Sequence, residues 1–378
     1  MSMLSRLCAT VSLLALTCAA QAQTASSDSV VVTSQRDPLK LDLESGTGSR
    51  LGLSAREIPA TVETITQADL QVQGLRTTRE AFNSVVGAVA GNVPGNPSVV
   101  TLRGFSGGAV SILQDGVRVS TSTVVQRDTN TWHFEKIEVV KGPASVLYGE
   151  GALAGVINKV TRKARLDGDH AEGMLSYGSF NTITMAGGVN LQLSPVLAVR
   201  ADASAMNSDS LYDVKDNRTR SAGLTGSIFY QPSADFSALL ALDHYSDTYD
   251  SSYQGVPLVS RAVARKPSDA LVSSANTLVI DEALRRENYN PEGAFSGSDS
   301  TTVRARLDCR LRSGWSVAND FQWYTATRDF VLSGDQNFTA PTPAFPNGSF
   351  ARSAQRIFHD HQFWNERLAV SNDAVIGG

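Results

Sequence analysis

Two glycine-rich stretches have the spacing of chemical motifs. Residues 104–108 read G-F-S-G-G, which matches the G-x-S-x-G pattern that presents a nucleophilic serine, here Ser106. Residues 149–154 read G-E-G-A-L-A, which matches the G-x-G-x-x-A fingerprint that cradles a dinucleotide pyrophosphate. The five histidines predict no metal site. The chain therefore offers two candidate chemistries, acyl transfer and dinucleotide binding.

The elements around these motifs disagree with both chemistries. A nucleophile elbow needs a strand, a sharp turn and a helix, but residues 109–113 alternate as a strand and lead into a hairpin. The dinucleotide fingerprint must follow a strand directly and open a helix. Here eight residues separate Val140 from Gly149, and the β-rich run 156–160 follows. We predict no enzyme, neither a hydrolase built from Ser106, Asp115 and His133 nor a dinucleotide enzyme, and no cofactor.

The composition and the N-terminus indicate an exported protein. A formal net charge of -4 argues against a nucleic-acid binder, which usually has a basic excess. Arg6, the apolar run 7–20 and the small-x-small sequence at 20–22 predict a secretory signal over residues 1–22, cleaved after Ala22. The mature chain then keeps only Cys309, which excludes an internal disulfide.

A short valine run follows the predicted signal. Three consecutive β-branched residues between polar neighbours favour an extended backbone. Such a segment can add as a strand to the sheet edge of a partner, although an ordinary strand remains the alternative. The run consists of Ser29, Val30, Val31, Val32 and Thr33. Residues 23–54 as a whole are interpreted as this segment and a polar linker.

Residues 55–164 have the pattern of a small mixed α/β domain. Strands are predicted over 58–66 and 99–105, and Thr77 with Glu80 forms a capping box that opens a helix through residue 86. Residues 110–118 predict a hairpin with Asp115-Gly116 at its turn. Glycines crowd the connection between the apolar runs 137–140 and 156–160, which leaves no room for a long helix.

Four ordered motifs in this domain carry a family resemblance. They are L-R-G-F at 102–105, D-G-V-R at 115–118, E-K-I-E-V-V-K-G-P-A-S at 135–145, and L-Y-G leading through a glycine-rich turn to V-I-N at 147–158. The domain resembles the plug of TonB-dependent outer-membrane receptors. Ala154 departs from the usual second glycine, and Asn130-Thr131-Trp132 replaces the usual D-P-Y. The motif residues expected to be structural are Gly104, Asp115, Gly116, Glu135, Lys141, Gly142, Pro143, Tyr148, Gly149, Gly155 and Asn158.

The resemblance implies a function. Residues 29–33 would be the TonB box that engages TonB, itself energised by ExbB and ExbD, and the cargo would be a ferric siderophore. Haem, cobalamin and carbohydrate are the alternative ligands. Arg103, Phe105 and Trp132 would lie near the ligand. Otherwise Arg103 would pair with a plug carboxylate and Trp132 would pack under a loop.

Residues 165–378 alternate with period two, as membrane barrel strands do. In the clearest segment Val303, Ala305, Leu307 and Cys309 oppose three arginines. We predict eight strands, over 169–179, 181–193, 196–206, 218–230, 235–246, 299–311, 314–329 and 356–371, with long loops at one end. Aromatic residues near strand ends predict interfacial girdles facing outer-membrane lipid: Tyr230, Tyr245, Trp315 and Trp323.

The predicted fold is an α+β plug followed by an antiparallel transmembrane β-barrel, with about eight of roughly 22 strands present. An eight-stranded barrel is just filled by its own side chains and cannot hold a domain of this size. We therefore expect the chain to be either a fragment of a longer receptor or a truncated gene product, and not to transport alone. The rival from another class is an exported fragment that acts only as a binding module.

Overall fold

The computed structural model describes residues 40–49, 52–93, 96–119, 127–149, 151–209, 212, 218–249, 256–273, 277–311 and 314–372. The predicted signal sequence, residues 1–22, and the predicted TonB box, residues 29–33, lie outside the described residues.

The N-terminal domain is built on a five-stranded sheet with the order β1-β6-β7-β4-β5. Its strands, together with the separate β2–β3 pair, are β1 (Thr61–Thr66), β2 (Ala88–Val93), β3 (Asn96–Leu102), β4 (Val110–Gln114), β5 (Val117–Arg118), β6 (Phe134–Lys141) and β7 (Gly155–Thr161). Strands β4 and β7 are parallel and the other pairs are antiparallel. The domain is therefore a mixed sheet, as the sequence predicts.

The predicted hairpin is confirmed. Asp115 and Gly116 join β4 to β5 with φ values of 50° and 79°. A two-residue turn of type I′ needs positive φ at both positions, and Asp-Gly tolerates this with little strain. The turn therefore places the Asp115 carboxylate at the tip of the hairpin.

Three short helices complete the domain: α1 (Gln67–Val72), α2 (Thr78–Asn83) and α3 (Ser145–Tyr148). The predicted capping box is present, because the Thr77 hydroxyl accepts from the Glu80 amide and the Glu80 carboxylate accepts from the Thr77 amide. Helix α2 ends at Asn83 rather than at the predicted residue 86. Leu70, Phe82 and Ile157 are among the buried residues of the core that the helices share with the sheet.

An eight-stranded antiparallel sheet follows, with the order β18-β17-β16-β12-β11-β10-β9-β8. Its strands are β8 (His170–Gly178), β9 (Thr182–Ser194), β10 (Leu197–Asp209), β11 (Arg218–Ser233), β12 (Phe236–Tyr249), β16 (Ser296–Arg310), β17 (Trp315–Thr339) and β18 (Ser349–Asn372). The eight predicted strands are confirmed. Strands β17 and β18 run farther than predicted, since pairing continues to Thr339 and Ser349. The sheet is open, consistent with an incomplete barrel.

Connection lengths differ between the two ends of this sheet. Short connections join β9 to β10, β11 to β12 and β16 to β17 at one end. At the other end lie the tight β8–β9 turn and the longer connections after β10, β12 and β17. The connection after β12 was predicted as a loop, but it holds a three-stranded sheet of β13 (Val259–Ser260), β14 (Pro267–Ser273) and β15 (Leu278–Asp281).

The two faces of the eight-stranded sheet have different chemistry. Leu224, Leu240 and Leu242 are about half exposed on one face. Asp202, Asp243 and Arg304 are buried on the face that holds the N-terminal domain. The prediction for Tyr245 is wrong, because its ring contacts His133 of the N-terminal domain at a centroid distance of 5.3 Å rather than lying in an outer girdle. No helix in the described part of the chain is long and apolar enough to cross a membrane.

Candidate functional site between the N-terminal domain and the sheet

Arg103 and Phe105 lie on a tight turn after β3. Leu102 and Phe105 exchange backbone hydrogen bonds of 2.8 and 3.0 Å, and the Arg103 amide donates to the Gly87 carbonyl at 2.7 Å. Arg103 and Gly104 both have positive φ, 51° and 84°. The turn leaves Phe105 58% exposed. Both side chains are thus held outward on a fixed backbone, and their predicted ligand role stays a prediction.

Trp132 has a different environment from these two residues. It lies in a single 3₁₀ turn (Thr131–His133) and is only 3% exposed. Its indole N–H donates to Asp202 Oδ1 at 3.1 Å, and the Arg162 guanidinium lies 4.5 Å above the ring. The structure therefore packs Trp132 against the eight-stranded sheet, and a ligand can reach the indole only if the domain moves.

His133 fills a socket in the sheet next to Trp132. Its Nε2 lies 2.7 Å from Ser204 Oγ, and its Nδ1 lies 3.1 Å from Thr225 Oγ1. Hydroxyl groups suit a neutral imidazole because each can donate or accept. A Cβ at Gly223 would come within 2.5 Å of His133 Nε2, so glycine leaves the room that the ring needs. The socket thus recognises both the shape and the neutral state of His133.

Docking of the domain is expected to weaken in acid through His133. Burial, and secondly the Arg162 charge, lower the pKa of His133 to about 3. In the unfolded chain His133 binds a proton below about pH 6.5, whereas in the docked domain it does so only near pH 3. The stabilisation of docking by neutral His133 is therefore complete above pH 6.5 and is lost as the pH falls towards 3. The slope should reach about 1.4 kcal/mol per pH unit. Urea titrations from pH 7 to 4 would check it, and His133→Gln should flatten this part of the profile.

Substitution of Gly223 gives a steric test of the same socket. Gly223→Ala should weaken docking by about 1–3 kcal/mol, because the new methyl group overlaps His133 and reaches Tyr245 at 3.0 Å. Gly226→Ala is the control in the same strand, because the added Cβ would lie 3.7 Å from the Arg200 carbonyl oxygen, which is an ordinary van der Waals distance. Equal effects of the two substitutions on urea-induced release would contradict the socket.

Asp115, at the tip of the β4–β5 hairpin, is the centre of the second group of contacts. Its carboxylate accepts from Thr161 Oγ1 at 2.7 Å and from Lys163 Nζ at 2.6 Å, and it pairs with Arg304 of β16. Arg304 also pairs with Asp243 of β12. Burial lowers the pKa of Lys163 to about 8, which leaves it mostly protonated at neutral pH. One guanidinium thus joins the hairpin to two sheet strands.

Three further contacts fasten the domain to the same face. Gln114 Nε2 donates to Asp243 Oδ2 at 2.7 Å, next to the Asp115 group. Towards the end with the longer connections, Arg127 Nε donates to Asp247 Oδ2 at 2.9 Å, and Tyr249 donates its hydroxyl to a backbone carbonyl of the domain at 2.5 Å. The interface is therefore held by hydrogen bonds and ion pairs rather than by a continuous apolar core.

The two motifs that suggested chemistry lack the local structure that each chemistry requires. After Ser106 comes a three-residue 3₁₀ turn and then β4, so no helix follows the serine. Asp115 and His133 contact the groups named above and form no triad with it. Gly149 follows helix α3 rather than a strand. In the described residues no group of three or more histidine, cysteine or carboxylate side chains could hold a metal ion.

Comparison with known proteins identifies the N-terminal domain. Residues 54–156 match the family TonB-dependent Receptor Plug Domain. Residues 54–156 are a TonB-dependent receptor plug domain. The plug-and-barrel fold predicted from the four motifs and the alternating strands is confirmed, and the eight-stranded sheet supplies barrel strands. The site described above is the plug–barrel interface.

Two curated relatives extend over most of the chain. It is 29% identical to the Ferrioxamine B receptor of Salmonella typhimurium over 299 residues, which cover 75% of this chain and 40% of that receptor. It is 24% identical to the Catecholate siderophore receptor Fiu of Escherichia coli K12 over 363 residues, which cover 92% of this chain and 45% of Fiu. The chain thus spans less than half the length of these two relatives.

Solved structures share the fold. The pyoverdine receptor FpvA of Pseudomonas aeruginosa bound to pyoverdine has a TM-score of 0.74 at 16% identity, over 91% of this chain and 48% of that one. The closed form of Fiu from E. coli has a TM-score of 0.72 at 19% identity, over 88% and 47%. These likenesses support the architecture of a plug against barrel strands.

Sequence reasoning did not identify the interface residues as a group. Arg127 was not singled out, and His133 entered only as a member of a rejected triad. One pattern in the sequence could have identified this interface. Aspartates recur at inward-facing positions of the barrel strands, as at Asp202, Asp243 and Asp247. A buried carboxylate in a barrel wall needs a cation or donor opposite it, which here comes largely from the plug.

Proposed function

We propose that this chain acts in the TonB-driven import of a ferric siderophore across the outer membrane. TonB engages residues 29–33, and the plug moves to open a path along the barrel wall. The proposal is supported by the plug family and by the two siderophore-receptor relatives that cover 75% and 92% of the chain. No covalent chemistry is needed for this activity.

The observation that carries the proposal is the polar fastening of the plug. Buried ion pairs give little net stability, because desolvation offsets most of the Coulomb attraction. An interface made from Arg304, Asp115 and His133 can therefore be rewetted and remade without exposing a large apolar core. This is the property that a plug needs if it must leave its closed position and return to it.

The exposed turn of Arg103 and Phe105 is the proposed contact for the ferric complex. A guanidinium and an aromatic face suit a flat anionic chelate. Arg103→Ala and Phe105→Ala should each weaken binding of a ferric siderophore by about tenfold, which corresponds to about 1.4 kcal/mol. Titration of the full chain in detergent with ferric hydroxamate, ferric catecholate, haem and cobalamin would measure this and rank the ligand classes.

A matched control for these variants is Arg56→Ala. Arg56 is also an exposed arginine of the N-terminal part, and it pairs with Asp42 rather than lying on the turn. Arg56→Ala should leave the affinity for the ferric siderophore within twofold of the wild-type value. Wild-type chain that binds haem or cobalamin but no ferric siderophore would contradict the siderophore assignment and keep the receptor class.

TonB coupling is tested at the valine run. Val31→Pro removes a backbone donor and prevents regular strand addition. We expect binding of the TonB C-terminal domain to fall by more than tenfold, while Ser26→Pro, outside the run, should have little effect. Fluorescence anisotropy with the labelled N-terminal segment would measure both. If Val31→Pro bound the TonB C-terminal domain as tightly as the wild-type segment does, residues 29–33 would not be the coupling segment.

A further inference from the structure

A segment upstream of the plug sheet is held by residues of the plug motifs. We call residues 40–49 and 52–57 the strap. Its two arms pair in antiparallel fashion, with the Ser45 amide donating to Leu53 at 3.1 Å, Ala55 to Leu43 at 3.0 Å and Arg56 to Leu41 at 2.9 Å. The strap is therefore a closed loop rather than an unstructured linker.

Thr47, near the tip of this loop, is the buried anchor. Its hydroxyl donates to Glu138 Oε2, and its amide donates to the same oxygen at 3.2 Å. Asn158 Nδ2 donates to Thr47 Oγ1 at 2.8 Å, and the Tyr148 hydroxyl donates to the Thr47 carbonyl at 2.9 Å. Thr47 has no exposed surface, and Glu138 is 1% exposed. We call these four residues the clasp.

The clasp connects the strap to the plug–barrel interface. Asn158 Oδ1 accepts from the Gly116 amide at 3.0 Å, so the side chain that holds Thr47 also holds the Asp115-Gly116 turn. Asp115 in turn pairs with Arg304 of the barrel strand β16. A short series of hydrogen bonds therefore leads from the strap to the main ion pair of the interface.

The strap also forms one wall of a cavity of about 860 Å³ between plug and barrel strands. Glu44, Gly46, Ser49 and Gly52 line the strap side, with Arg304 and Arg306 among the residues of the barrel side. This volume is in the range of small-molecule sites. Lifting the strap would open this cavity on that side.

We propose that the clasp is the element that sets how much force releases the strap and loosens the plug. The proposal rests on the proposed TonB coupling, because the pull would enter at residues 29–33 and reach residue 40 first. The paired arms of the strap would open one hydrogen bond at a time. Thr47 then bears the load through several bonds at once, including charge-assisted bonds to Glu138.

Hydrogen exchange of the full chain in lipid nanodiscs tests the clasp without TonB or siderophore. Thr47→Val keeps the shape and removes the hydroxyl. It should speed exchange at the Ser45 and Ala55 amides about tenfold while the amides of β7 stay unchanged. Tyr148→Phe, which removes one bond to Thr47, should speed the same amides severalfold and serves if Thr47→Val fails to fold.

Two control variants separate the clasp from general loosening. Thr47→Ser keeps the hydroxyl and should exchange like the wild type. Ser54→Ala removes a hydroxyl of the same strap that donates to exposed Glu57 at 2.7 Å, and should change exchange by less than twofold. Exchange within twofold of wild type in both Thr47→Val and Tyr148→Phe would overturn the proposal.

Pulling the full chain from residue 30 with optical tweezers gives a second readout. The wild type should show a first extension of roughly 60 Å, from about 3.5 Å per released residue over the strap. Thr47→Val should lower the force of this event. An unchanged force overturns the clasp, whereas failure of TonB to bind residues 29–33 would overturn the coupling proposal and leave these results standing.

Discussion

Arg304→Met is expected to detach the plug from the barrel strands. Arg304 is 7% exposed and pairs with both Asp115 and Asp243, so the substitution leaves two carboxylates buried without this cation. Removing one partner of a buried ion pair typically costs about 3–5 kcal/mol. Urea-induced release, followed by hydrogen exchange at the Thr161 amide that bonds to Asp115, should shift by this amount.

The charge balance itself can be tested in a second variant. Adding Asp243→Asn to Arg304→Met removes one of the two carboxylates, while Asp115 keeps Lys163 as its cation, and should recover most of the lost docking energy. Arg306→Met is the matched control two residues along the strand, because its side chain is 46% exposed and its partners, Asp308 at 2.7 Å and Asp320 at 3.1 Å, belong to the sheet rather than to the plug. A solvent-exposed pair contributes about 0–1 kcal/mol. Equal losses in Arg304→Met and Arg306→Met would contradict the central role of Arg304.

Features set by near neighbours in the chain were predicted well. The Asp115-Gly116 turn follows from the positive φ that a two-residue hairpin requires, and the Thr77–Glu80 capping box follows from the unsatisfied amides at a helix start. The eight barrel strands follow from the period of two, which any strand with one polar and one apolar face must show. None of these needs knowledge of a distant partner.

Features set by distant partners were not predicted. Arg304 and Asp115 are 189 positions apart, and no local pattern shows that they meet. Tyr245 was placed in an outer girdle because it lies near a strand end, but its position in the alternation points it to the plug. From the sequence, the strap was interpreted as a polar linker. Thr47 becomes an anchor only when the pairing of β6 and β7 brings Glu138 and Asn158 beneath it, and no local pattern around Thr47 shows this.

Gly155→Ala is expected to destabilise the plug more than a methyl group added at any other of its glycines. Gly155 begins β7 at φ +154°, where its added Cβ would overlap the Val140 carbonyl oxygen and lie 2.6 Å from Leu102 Cδ2. The carbonyl belongs to a paired strand and cannot move aside as a flexible side chain could. Overpacking costs about 1–3 kcal/mol, and the unfavourable φ adds about 1–2 kcal/mol. We expect a loss of about 2–5 kcal/mol, measured by exchange at the β6 and β7 amides.

Gly91→Ala separates this clash from the general effect of replacing a strand glycine. Gly91 lies in β2, where an added Cβ meets nothing within 4 Å, so alanine there should be neutral or slightly stabilising by up to about 1 kcal/mol. If Gly155→Ala were tolerated equally well, β7 could move away from Val140 without loss. The plug sheet would then be loose enough to rearrange without force, and the need for a clasp at Thr47 would disappear with it.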